Sequence, residues 1–269
     1  MNWRLIPRAT GDAAWNMAAD EYMAEEAKQE SRPVLRFYRW DPPALSIGYF
    51  QKFSREVNEE GCRELGIQWI RRPTGGRAVL HEHEITYCLA LPLDYPQLPQ
   101  GVTNSYRWLS AGLLQGLKEL GVEAEFAPVS HQAGRGKTAA CFDSPSRYEL
   151  LVGGRKVVGS AQVRRDGVLL QHGSVLLDFD LERLLQVMRF SNERRRDVTR
   201  RLLAGKAGSL KPFLDPMPGF DTLASSLAAG FEDSYQMTLT EIPLSHHEKG
   251  RIECLRREKY QTEQWNRRS

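Results

Sequence analysis

Residues 148–179, YELLVGGRKVVGSAQVRRDGVLLQHGSVLLDF, leave the chain few folds to choose from. Two dipeptides, Gly153-Gly154 and Asp166-Gly167, separate three β-prone runs and suit the positive φ of tight hairpin turns. A two-residue turn joins only antiparallel neighbours, because a parallel pair needs a long crossover. The segment therefore predicts a three-stranded antiparallel meander.

Further strands are expected in VLRFYRW (34–40), ALSIGYF, IQWIRRP and VEAEFAPV, and AVLHEHEITYCLALPL reads as one long strand or a hairpin. Residues 11–30 predict a helix capped by Asp12, with Ala13, Ala14, Met17, Ala18, Glu21 and Tyr22 on one face. A short amphipathic helix is expected over 54–65, ending at Gly66, and a longer one over 103–121 with Gly121 at its C-terminal end. From Asp180 onward the pattern is mostly helical, broken at KPFLDPMPG, with a last basic helix over 248–260. Hairpins outnumber βαβ crossovers, which predicts an α+β fold: mixed, largely antiparallel sheets with helices packed on them. The absence of repeats and linkers suggests one domain over 1–269, with a core of about 30–240 and a helical C-terminal elaboration.

The 269 residues are 41% hydrophobic and carry a net charge of only +3, too little to argue for nucleic acid. The N-terminal residues lack an apolar run of signal-peptide length, and no stretch nears the roughly 20 apolar residues of a membrane span. A cytoplasmic monomer without membrane partners is expected. Cys62, Cys88, Cys141 and Cys254 are scattered, with no CxxC, so neither a disulfide framework nor a structural zinc site is suggested.

In RRPTGGRAVLHEHEITY, Gly75-Gly76 permits close approach of backbone to a ligand, and Arg71, Arg72 and Arg77 flank it. A solvated hairpin with charged edges fits the local pattern equally well. His81 and His83, two apart in an apparent strand, would point the same way, but no third metal ligand is spaced to join them. Lys156, beside Gly159-Ser160-Ala161, is either a surface cation or a site residue. Cys62, Cys88 and Cys254 suit packing; Cys141 follows a polar, Gly-rich loop and is the candidate reactive thiol.

DAAWNMAADEYM, RRPTGGRAVLHEHEITY, GRKVVGSAQ, QHGS and KYQTEQWN occur here in the order in which similar segments occur in lipoate-protein ligases and lipoyl-pathway acyltransferases. The chain resembles that family over almost its whole length. The resemblance implies the biotin/lipoate ligase catalytic fold. It also implies an acyl pocket lined by the Gly-Gly segment, with Arg72, Thr74, Gly75, Gly76, Arg77, His81, Gly159, Ser160, Ala161, His172 and Gly173 as substrate-binding candidates.

Family members that make an acyl-adenylate need ATP and magnesium and resemble RRxSGGGAVYHD at the turn; here Arg77 replaces the third glycine. Cys141 lies fifteen residues before Lys156, an order similar to the LipM-type octanoyltransferases. That branch implies Cys141 as an acyl-thioester nucleophile and Lys156 as the cation that lowers its pKa and orients the carbonyl. It needs no ATP or metal cofactor. The implied donor is octanoyl-acyl carrier protein, and the acceptor a lipoyl-domain protein such as glycine cleavage H protein. Arg164-Arg165 and the basic run 192–201 are candidate docking surfaces for the acidic carrier, or simply solvated faces. The other readings are an ATP-dependent ligase, an amidotransferase between lipoyl-domain proteins, and a non-catalytic lipoyl-domain binding module.

Overall fold

The computed structural model describes residues 2–127 and 149–268. Its strands and helices follow the chain as β1 (Asn2–Gly11), α1 (Ala13–Gln29), β2 (Val34–Trp40), β3 (Ala44–Ile47), α2 (Phe53–Glu56), α3 (Glu59–Glu64), β4 (Gln68–Arg71), β5 (Val79–His81), β6 (Glu84–Pro92), α4 (Val102–Glu119) and β7 (Ala124–Phe126). After the segment outside the described residues come β8 (Leu150–Val152), β9 (Arg155–Arg165), β10 (Val168–Leu176), α5 (Leu181–Val187), α6 (Glu193–Lys206), α7 (Phe220–Tyr235), β11 (Thr238–Glu241), α8 (His246–Leu255) and α9 (Glu263–Asn266).

Eight strands form one sheet in the order β11-β1-β2-β6-β10-β9-β8-β7, and three form a second, β4-β3-β5. In the large sheet β1 runs parallel to β11 and β2, and the other neighbours are antiparallel. This is the mixed, largely antiparallel α+β architecture that the sequence predicts. The meander is present as β8-β9-β10. Its second turn places Asp166 and Gly167 at φ 52° and 84°, as two-residue hairpin chemistry requires.

Helices cover both faces of the large sheet. One core joins Trp3, Phe37, Tyr87 and Leu169 to Leu109, Leu113 and Phe231 of α4 and α7. On the other face Tyr38, Cys88 and Leu170 meet Met17 and Met23 of α1, with Ile252 of α8 and Tyr260 behind them. Neighbours Phe37 and Tyr38 thus serve opposite cores, which is why β2 is buried nearly throughout instead of alternating with solvent. A third core lies between the small sheet and α5 and α6, around Leu45, Ile47, Val187 and Leu203. Buried side chains run from Trp3 to Tyr260, so the core is not confined to 30–240.

Several local expectations need correction. The helix expected over 54–65 is two short ones, α2 and α3, and Gly66 follows with φ 65°. AVLHEHEITYCLALPL is neither one strand nor a hairpin: β5 belongs to the small sheet and β6 to the large one. Glu82 and His83 carry the chain across that seam. The C-terminal part is mostly helical, as expected, with one strand, β11, that pairs in parallel with the N-terminal β1. Among the described residues, no helix is long and apolar enough to cross a membrane.

Candidate active site

The seam between the two sheets holds a narrow cleft with a cavity volume of only about 20 Å³. Its walls include Arg72, His81, Gly159, Ser160, Ala161, His172 and Gly173, all nominated from sequence, together with Met17, Tyr38, Trp40, Ser46, Thr86 and Ser174, which were not. Gly75, Gly76 and Arg77 stand beside this cavity rather than in its wall. A Cβ on Gly76 would come within 3.8 Å of the Ala161 Cβ.

The loop after β4 is held by backbone packing and by one guanidinium. A side chain on Gly48 would place its Cβ 2.1 Å from the Gly76 carbonyl oxygen, so the end of β3 and the Gly-Gly turn touch main chain to main chain. Gly76 itself has φ 92°, in the left-handed region that favours glycine. Arg72 Nε and Nη2 donate to the Gly75 carbonyl, Nη2 also to the Arg77 carbonyl, and Nη1 to the Ser46 hydroxyl and carbonyl. Arg72 is buried, and these bonds engage all five of its N–H groups. Sequence assigned Arg72 to substrate; the structure shows its head group shaping the loop.

Two imidazoles line the cavity, and each sits between a hydroxyl and a carboxylate. His81 Nδ1 lies 2.7 Å from Glu84 Oε1 and its Nε2 lies 2.7 Å from Ser46 Oγ. Its ring stacks on Trp40 at 4.1 Å between centroids. His172 Nδ1 lies 2.8 Å from Asp20 Oδ2 and its Nε2 lies 2.6 Å from Thr74 Oγ1. Burial lowers the His172 pKa from its ordinary value; the hydrogen bond and charge of Asp20 oppose this, while Arg72 and His81 add to it. His81 does not share a direction with His83. His81 ends β5 and is buried, whereas His83 turns out into solvent at the seam. The described residues contain no group of three or more ligands suited to a metal ion.

On β9, Gly159 and Ala161 border the cavity, while the Ser160 hydroxyl is taken by Tyr87, whose OH donates at 2.8 Å. Gln171 donates in turn to the Tyr87 oxygen at 2.8 Å, and Gln162 to Gln171 at 3.0 Å. This ladder ties β6, β10 and β9 together and occupies one lone pair of Ser160 Oγ, leaving its own O–H to donate.

Lys156 does not line the cavity. It lies three residues before Gly159 on the same strand, about 10 Å along it. It is not a surface lysine: it is 2% exposed, and its Nζ lies 2.5 Å from Glu149 Oε1. Glu149 is a partner the sequence reading missed, since a carboxylate beside two leucines gave no sign of burial. Cys141, the nominated nucleophile, lies outside the described residues.

The basic segments are partly committed. Arg164 donates to the Pro99 and Gly101 carbonyls, and Arg165 pairs with Asp166. On α6, Arg196 and Arg200 meet Glu193, Asp197 and Glu182, whereas Arg194, Arg195 and Arg201 remain exposed.

Comparison with known proteins places this geometry. Residues 12–232 match the model of the lipoyl protein ligase A/B catalytic domain. "Octanoyltransferase LipM" of Kyrpidia tusciae is 45% identical, and its namesake from Lysinibacillus sphaericus 42%, each alignment covering 98% of both chains. The Bacillus subtilis protein of that name is 38% identical over 98% of this chain and 97% of its own. Among solved structures, a bipartite lipoate protein ligase from Thermoplasma acidophilum superposes with a TM-score of 0.82 at 24% identity, covering 99% of this chain and 96% of that one. A lipoate-protein ligase A bound with ATP gives 0.78 at 25% identity, covering 99% of both. The chain belongs to the lipoyl protein ligase A/B catalytic-domain family, alongside the LipM octanoyltransferases.

Proposed function

We propose that the chain is a protein N-octanoyltransferase of lipoate biosynthesis that works through a cysteine thioester. The observation that carries this reading is end-to-end similarity to relatives named octanoyltransferase, at 38–45% identity over 98% of the chain. The lining supports it: Met17, Tyr38, Trp40 and Val79 offer an acyl chain an apolar surface at the sheet seam.

The Cys141 thiolate attacks the carbonyl of an octanoyl thioester on acyl carrier protein. A carbon–sulfur bond forms, the carrier's thiolate leaves and takes a proton, and octanoyl rests on Cys141. Exchange of one thioester for another is nearly isoenergetic, so the step draws on no ATP or metal. The ε-amine of a lysine on a lipoyl-domain protein then attacks, the Cys141 thiolate departs, and the amine's proton leaves as the amide forms. Glycine cleavage H protein is the acceptor we favour.

Lys156 is the cation proposed to hold Cys141 ionised and to orient the acyl carbonyl. Glu149 fixes the Lys156 ammonium and tempers its charge. His81 is poorly placed to act as a base, because both ring nitrogens already have partners. Cytoplasmic location and a monomeric state complete the reading.

Intact-mass spectrometry tests it. Octanoyl-carrier protein should add one octanoyl mass to the wild type and none to Cys141→Ala, without ATP or magnesium. A fully active alanine variant would end the covalent mechanism. Modification of a lipoyl domain from free octanoate and ATP, with release of pyrophosphate, would make the chain a ligase.

A further inference from the structure

α1 carries an aspartate into the most buried part of the molecule. Asp20 is 0% exposed and lies on the helix face that packs against the large sheet. The Cys88 thiol hydrogen-bonds it, and three further groups donate to it. Arg36 Nη1 reaches Oδ1 at 3.2 Å, Tyr38 OH reaches Oδ2 at 2.8 Å, and His172 Nδ1 lies 2.8 Å from Oδ2. Such a set fixes the protonation pattern. With Arg36 and Tyr38 donating to the two carboxylate oxygens, Asp20 serves as the acceptor, so the His172 nitrogen facing it carries the proton. His172 Nε2 is then an acceptor, and the Thr74 hydroxyl at 2.6 Å must donate to it.

The relay ends on the loop beside the cavity. Thr74 precedes Gly75-Gly76, and its carbonyl accepts from Tyr49 N at 2.8 Å. Its hydroxyl bonds His172 on β10. Arg72 draws the Gly75 and Arg77 carbonyls toward itself on the other side. The turn is therefore fastened from both flanks, and Asp20 is the fixed end of one fastening.

We propose that Asp20 is a positioning residue for acyl transfer: through the Nδ1–H of His172 it holds the imidazole in the tautomer that accepts the Thr74 hydroxyl proton, and so pins the Gly-Gly turn against the acyl cavity. Asp20 contacts no substrate in this role. It acts through His172 on Thr74, and Thr74 in turn sets where Gly75 and Gly76 stand. The kinetic part rests on the acyl-transfer reading; the tautomer does not.

The test therefore has two arms. In the first, ¹⁵N-histidine labelling of the whole protein reads the ring nitrogens of the six histidines, with His172→Gln assigning the one in question. The expected wild-type signature is a protonated Nδ1 and a bare Nε2. Asp20→Asn should abolish or mix it, and Thr74→Val should keep it, because Asp20 still holds the ring. In the second arm, kcat and KM for octanoyl transfer are measured. Asp20→Asn and Thr74→Val should each lower kcat about tenfold or more with KM changed less than about threefold, since a displaced turn misplaces the reacting groups. Thr74→Ser, which restores the hydroxyl, should recover most of the loss.

A wild-type ring protonated at Nε2 overturns the proposal, and so does Thr74→Val turning over at the wild-type rate. Asp20→Asn strands Arg36 in the core; if it does not fold, wild-type tautomer and the Thr74 pair decide. If the wild type transfers no octanoyl at all, the function reading has failed, and the tautomer arm still tests the relay.

Discussion

Arg71 offers a sharp test of how this fold holds its loops. It is 0% exposed and, among the described residues, is given no carboxylate; six bonds to main-chain carbonyls carry its charge. Nη1 serves Gly48, Tyr49 and Gln51, and Nε and Nη2 serve Trp265, Asn266 and Arg268. Burial and the nearby Arg268 both lower its pKa from the ordinary arginine value, so the ion is held at a cost. Arg71→Met keeps the bulk and removes every donor. Hydrogen bonds to a charged group are worth about 1.5–3 kcal/mol each, but the desolvation cost of the ion disappears with it and the outer carbonyls regain water. A net loss of about 3 kcal/mol follows, or about 6–12 °C in Tm for a domain of this size. Differential scanning calorimetry reads the shift. The variant should also lose transfer activity below its Tm, since Gly48 carries the contact to Gly76. A Tm within about 2 °C of wild type would refute the claim that this guanidinium joins the two segments.

Gly48→Ala should fold but transfer at least about tenfold more slowly, because its methyl meets the Gly76 carbonyl and the turn must move; unchanged kinetics would mean the turn's position is not critical. Lys156→Met should slow iodoacetamide alkylation of Cys141 near neutral pH, since a charge at close range shifts a thiol by roughly one to three pKa units. Glu149→Gln should act in the opposite sense by freeing the ammonium's charge; superimposable pH profiles for all three proteins would limit Lys156 to holding the carbonyl. Burial would raise the Glu248 pKa, but hydrogen bonds from Arg4 and the Ser245 backbone and side chain outweigh it and hold it at about 2. Its contribution to stability is therefore complete above about 4.5 and lost as pH falls toward 2, the unfolded chain binding the proton first. Glu248→Gln should flatten the acid limb of the Tm–pH curve in that window.

The sequence revealed what local chemistry decides. Asp12 does cap α1, accepting from Trp15 N at 2.8 Å, and the meander's turns fall where Gly153-Gly154 and Asp166-Gly167 put them. Half of the expected face of α1 is buried: Ala13, Met17 and Ala18 are, whereas Ala14, Glu21 and Tyr22 give way to Asn16, Asp20 and Met23. A polar residue is buried at acceptable cost only when distant partners satisfy it, and Arg36, Tyr38 and His172 lie far along the chain from Asp20. The same reason hid Glu149 beside Lys156 and gave Arg71 no role but a charge near a turn. The small edge strand β11 carried no pattern longer than four residues, so only its pairing with β1 reveals it.

The cavity wall reads as polar by residue name, yet most of its polar groups bond one another. His81 and His172 have both ring nitrogens engaged and Arg72 has all five N–H groups occupied, while Ser160 accepts from Tyr87 and keeps its own O–H. An acyl chain entering this slot meets a surface that behaves much like hydrocarbon. A hydroxyl or carboxylate on that chain would find few donors beyond the Ser160 O–H, and where it met none it would lose about 1–3 kcal/mol or more of hydration. Discrimination against oxidised or hydroxylated acyl groups, by roughly tenfold or above, thus needs no dedicated rejecting residue. It is a by-product of walls that satisfy themselves.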